Sequence, residues 1–218
     1  MTLTRSRSAA PVIWRFVEES ASEAAFLWLR LDAALDADNH CLEDVERWVE
    51  ERLMGALDGV RVGGGRVFDA LVPELFEDAD LGAVATAAYV SATMDDARAA
   101  RLLRQTLLPL ASNATSHKPV TPARAAALAC ALGRAAQVES LHAFLSRLGP
   151  NDALAQAVVL NALTFCGQAP QTNLQAMLES PQPQLRHAAA DPLRFLPSRD
   201  RDNLIARALA SPDARVQV

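Results

Sequence analysis

The chain has 218 residues, half of them hydrophobic but only 5% aromatic, and carries a formal charge of −5. This mixture, dominated by alanine, suits close-packed helices and not antiparallel sheets, whose strands favour β-branched and aromatic side chains. The acidic balance argues against a generic nucleic-acid binder, which would show a basic face, and Cys41, Cys130 and Cys166, odd in number, far apart and set among apolar residues, read as reduced core thiols and not as a disulfide framework.

Residues 1–10 read as a disordered leader. Arg5 and Arg7 mimic the start of an export signal, but Arg15, Glu18 and Glu19 interrupt the apolar stretch that follows. No apolar run approaches the roughly 20 residues of a membrane span, so the expected location is the cytoplasm. A first helix is predicted from about Val12 to Asp36, with Ile13, Phe16, Ala24, Leu27, Leu31 and Leu35 on one broad apolar face and Trp14 and Trp28 among core neighbours. After an Asp38-Asn39-His40 break, a second helix runs from Leu42 to about Leu57, with Leu42, Val45, Val49 and Leu53 inward. Gly63-Gly64-Gly65 ends this N-terminal helical hairpin (residues 11–62) and offers a flexible joint.

Residues 63–218 read as paired helices: Val67–Phe76 with Leu81–Met94, Ala97–Leu110 with Pro122–Ala136, Val138–Leu148 with Asp152–Phe165, and Thr172–Leu178 with Pro183–Leu196. A helix from Asp200 to Ala210 precedes one barely begun at the end. Ala111–Val120 reads as an inserted loop, and Pro73 and Pro192 should kink or end the helices they fall in. Pro150, Pro181 and Pro212 stand 31 residues apart, each between an apolar helix and the start of another, with Leu154, Leu185 and Val216 in the same place after them. Helix pairs repeating at a fixed period are the signature of an α-solenoid. The expected fold is therefore all-α, a solenoid of stacked helix pairs with an N-terminal helical hairpin.

The stretches SPQPQLRHAAA from Ser180 and SPDARVQV from Ser211 resemble the turn and second helix of HEAT repeats. Glu23 to Trp28 (EAAFLW) and the turn from Leu57 to Gly63 resemble the opening of an uncharacterised proteobacterial family with HEAT-like repeats. The likeness is close over roughly the first third, but this chain reads Asn39-His40-Cys41-Leu42 where that family often has His-Tyr. The resemblance implies an all-α repeat fold with no established enzyme activity. Members often occur near type VI secretion genes, which implies an immunity protein for a toxin effector or an adaptor that handles one.

Charge is unevenly distributed. From Glu18 to Asp58 there are twelve acidic side chains and three arginines, a net −9, whereas Ala97 to Arg147 carries a net +6 from Arg98, Arg101, Arg104, Lys118, Arg124, Arg134 and Arg147 against Glu139. Such polarity steers and orients a charged partner, although charge runs are as often simply solvated surface. Asp44, Trp48 and Glu51 lie at i, i+4 and i+7 on the second helix, displaced from the Val45–Val49 seam, with Glu43, Glu46 and Glu50 beside them. These six form the candidate partner-binding set. For Trp48 the competing expectation, packing beneath the first helix, is the commoner fate of a large aromatic.

No residue pattern points to catalysis. His40, His117, His142 and His187 are scattered without metal-ligand spacing, the glycine run lacks a following Lys-Ser/Thr, and a Cys130–His142 pair has no third group to orient it. No catalytic residue, metal or cofactor is expected. An enzyme of the HEAT-like lyase or glycosylase type would need a concave cluster of acids and aromatics, which is missing. The expectation is a protein-binding module for a protein partner, most concretely an immunity protein that covers the basic cleft of a nuclease effector. The alternative is an adaptor or scaffold that loads an effector without inhibiting it.

Overall fold

The structure is a computed structural model that describes residues 11–35, 37, 41–94, 106, 121–135, 138–146, 148, 152–170 and 173–210. Helices are the only regular elements among the described residues. They are α1 (Trp14–Leu35), α2 (Leu42–Val45), a π-turn (Glu46–Glu50), α3 (Glu51–Arg61), α4 (Gly64–Glu77) and α5 (Leu81–Thr93). Then follow α6 (Pro122–Ala135), α7 (Val138–Leu145), α8 (Ala153–Phe165), α9 (Leu174–Leu178), α10 (Pro183–Ala190), a 3-10 turn (Asp191–Phe195) and α11 (Ser198–Leu209). The leader, the Asp38–His40 break, the Ala97–Leu110 helix apart from Thr106, the Ala111–Val120 loop, Pro150, Pro212 and the C-terminal valines all lie outside the described residues.

Local chemistry sets the helix ends. The Asp80 carboxylate accepts the Gly82 and Ala83 N–H groups at the start of α5, and the Asn173 amide oxygen accepts that of Ala176 at the start of α9. Pro122 and Pro183 occupy first positions of α6 and α10, where no N–H is required. Gly167, with φ of 68°, closes α8: its N–H donates to the Thr164 carbonyl, and that of Gln168 to the Leu163 carbonyl.

The core is a row of helices in which α1 packs on α5, α5 on α6, α6 on α8 and α8 on α10. Helices α4, α7 and α9 lie against the chain-following members α5, α8 and α10, and α3 packs on α1. The two helices at the centre of contact, α5 and α8, are buried on nearly every side. Gly82 to Ser91 and Ala155 to Leu160 are buried without a break, and small side chains let the neighbours close in. At Gly82 two helices meet closely, because a Cβ there would run into the Ala25 backbone carbonyl of α1.

Several expectations need correction. On α1 the buried seam is Val17, Ala21, Ala24, Leu27, Trp28, Leu31 and Ala34, whereas Ile13, Trp14, Phe16 and Leu35 are exposed, because no described element covers that side. Leu42 also faces out. Helix α4 continues through Pro73 to Glu77, while near Pro192 the α-helix does end, at Ala190, giving way to the 3-10 turn. The glycine run is a tight turn and not a linker, since Gly64 takes a φ of 59° and already opens α4. Cys41 is exposed, so only Cys130 and Cys166 remain half-buried thiols.

A candidate partner-binding surface

In a straight α-helix, inward residues recur every 3.6 positions, yet Val45, Val49, Leu53 and Leu57 recur every four. Over the eight residues from Val45 to Leu53 that spacing drifts by about 80°. The π-turn at Glu46–Glu50, with its i→i+5 bonding, winds more slowly and absorbs the drift. Val45 and Leu53 are consequently both buried, on one side of one continuous helical rod. Trp48 lies within this turn, none of whose residues is buried, and is 63% exposed.

Trp48 therefore faces solvent instead of packing beneath the first helix. Its ring carries the Arg47 guanidinium at 5.6 Å from the centroid. Glu43, Glu46 and Glu51 are exposed and make no ion pair among the described residues.

The other two candidates serve the fold. Asp44 is half-buried and its carboxylate accepts from the Cys41 N–H at 3.4 Å and from the Cys41 thiol at 3.1 Å, holding the helix start. Glu50 accepts from Arg134 Nη1 on α6 at 2.7 Å, and the Arg134 guanidinium also stacks 5.1 Å from the Phe165 ring centroid at the end of α8. One half-buried arginine thus joins the π-turn, α6 and α8.

Arg124 was expected on a solvated basic face but is 7% exposed. It reaches back to the end of α4, where Nη1 donates to the Asp78 carbonyl at 3.1 Å and Nη2 to the Phe76 carbonyl. These are orphan carbonyls of a helix C-terminus, and the cation also complements the helix dipole there. Burial lowers the Arg124 pKa, and the neighbouring Glu77 opposes that shift. Both described arginines of the basic segment are thus turned into the structure, while Arg98, Arg101, Arg104, Lys118 and Arg147 lie outside the described residues. Arg186 likewise donates to backbone carbonyls, those of Ser180 and Pro181.

Large exposed apolar side chains concentrate in the N-terminal part. Among the described residues thirteen are exposed, and ten of them fall between Ile13 and Val62, including Phe16, Phe26, Leu29 and Trp48. Such concentration is unusual for a surface without a partner. Sequence periodicity missed it, because it assigns every regularly spaced apolar residue to a core.

No group of three or more His, Cys, Asp or Glu side chains among the described residues is placed to hold a metal, and no described helix is long and apolar enough to cross a membrane. Comparison of the chain with family models, curated proteins and solved structures returns no match in any of the three.

Proposed function

We propose that this chain is a protein-binding module without catalytic activity, with the N-terminal hairpin as its docking face. The observation that carries the reading is Trp48, presented 63% exposed by the π-turn beside the unpaired carboxylates of Glu43, Glu46 and Glu51. An amphipathic aromatic in an acidic surround is the composition of an interface anchor for a cationic protein surface. The stacking of α5, α6, α8 and α10 on successive neighbours supports a HEAT-like solenoid, a fold class that works by presenting surface. On that reading, and on the family resemblance of the opening helices, the role is that of an immunity protein for a type VI secretion toxin effector.

The test is co-expression with the product of the adjacent gene. An immunity protein restores growth of cells producing a toxic neighbour, and Trp48→Ala combined with Glu46→Lys and Glu51→Lys abolishes the rescue while leaving the helical circular dichroism unchanged. Formation of a stable complex without rescue assigns the adaptor role instead. Retention of full binding by the triple variant refutes the acidic rod as the docking face.

A further inference from the structure

Helices α1 and α4 each pack against α5 without sharing a substantial face with one another, which leaves a trough of about 410 Å³ between them. On the α1 side it is lined by Glu18, Ser22, Ala25 and Leu29, spaced i, i+4, i+7 and i+11, with Phe26 beside them. That spacing runs along three turns of one helix face, about 16 Å. Leu71 and Leu75 form the opposite wall, and Ala83 of α5 lies in the floor. The close crossing at Gly82 holds α1 and α5 together at its base.

The trough is apolar within and acidic at its edge. Phe26 and Leu29 stand 57% and 46% exposed. Glu18, Asp78 and Asp80 supply the edge, and no basic side chain lines it. The two aspartates are fixed in place: Asp78 Oδ1 accepts the Asp80 N–H, and Asp80 Oδ1 accepts those of Gly82 and Ala83. Arg124 is buried and committed to the Phe76 and Asp78 carbonyls, and it is not among the residues that line the trough.

We infer that this trough is a second docking site, separate from the Trp48 rod, and that its occupant is a short basic amphipathic helix of a partner protein. A gap between two helices with small residues in its floor accepts a third helix by ridge-and-groove packing. The apolar floor takes that helix's leucine-type face, and the three carboxylates select lysine or arginine at its margins.

The probe is a fluorescein-labelled peptide of about 14 residues with leucine and lysine at helical spacing, compared with its glutamate counterpart. Fluorescence anisotropy with the full chain should show saturable binding of the lysine peptide only. Phe26→Ser with Leu29→Ser should weaken it at least roughly tenfold, and Glu18→Lys should weaken it and flatten its salt dependence. Trp48→Ala should leave it unchanged, which separates this site from the acidic rod. Equal binding of both peptides, retention by the Phe26/Leu29 variant, or loss on Trp48→Ala overturns the inference. So does self-association by sedimentation velocity that the Phe26/Leu29 variant abolishes, since the occupant is then a second copy of the chain. Circular dichroism of each variant excludes misfolding, and Glu18→Lys, at an exposed position, supplies an arm independent of the apolar pair.

Discussion

Replacing Arg124 with alanine separates a structural arginine from a solvated one. The side chain is 7% exposed and donates to two carbonyls at the end of α4 that no other described group satisfies. A hydrogen bond from a charged donor contributes about 1.5–3 kcal/mol, and removing a partner strands the acceptors it served. With the loss of the packed stem, Arg124→Ala should cost about 3–5 kcal/mol, a large share of the 5–15 kcal/mol typical of a folded domain. For a chain of this size that corresponds to a fall in Tm of roughly 6–20 °C. Arg124→Lys, which cannot fork to both carbonyls, should lose about half as much. The control is Arg15→Ala, whose side chain is 89% exposed in its pair with Glu19 and whose loss should cost within about 0.5 kcal/mol. Urea unfolding followed by circular dichroism measures all three. If Arg124→Ala moves the midpoint no more than Arg15→Ala, the buried cap is wrong and the arginine belongs to a solvated basic face.

Gly82→Ala places a methyl against the Ala25 carbonyl and should push α1 off α5, costing about 1–3 kcal/mol or more by thermal unfolding, with an unchanged Tm as the contrary result. The Glu50–Arg134 pair, 34% and 20% exposed, should show a favourable coupling of about 1–2 kcal/mol in a double-alanine cycle; strictly additive losses would mean the two side chains do not interact. Burial raises the pKa of the Cys166 thiol above 9.0 and that of the Tyr89 phenol above 10.0, the latter despite the opposing Arg61. The folded state then holds protons that the unfolded chain releases, so stability is complete below about pH 9 and falls as pH rises through 9 and 10. Urea midpoints should drop between pH 8 and 10.5, and Tyr89→Phe should remove the part above 10; a flat profile rejects the assignment.

How much of this was legible in sequence depends on the range of the interaction. Helix placements came close because proline at a first turn, asparagine or aspartate at a cap and glycine after a helix act within a few residues, as at Pro122, Asn173 and Gly167. Burial of Ala24, Leu27 and Leu31 followed from their period. The same period wrongly buried Ile13, Phe16 and Leu42, because it reports that a face is apolar and not whether anything covers it. For the candidate set, exposure of Glu43, Glu46 and Glu51 was readable, but the commitments of Asp44 and Glu50 were not. Glu50 meets Arg134 across 84 positions and Arg124 meets Phe76 across 48, and nothing local to either residue marks such a partner. The four-residue spacing from Val45 to Leu57 was the one available sign of the π-turn.

That turn has a consequence for how this hairpin tolerates changes in length. A π-turn is an α-helix holding one additional residue, and the helix on either side of it keeps its original phase. Deleting a single residue between Glu46 and Glu50 would restore ordinary winding and still leave Val45 and Leu53 pointing the same way, two turns apart. What would change is the exposed turn that carries Trp48. The rod thus divides its sequence into two independent texts: an inner one that cannot shift frame, and an outer one that can gain or lose a letter while the fold beneath it reads the same.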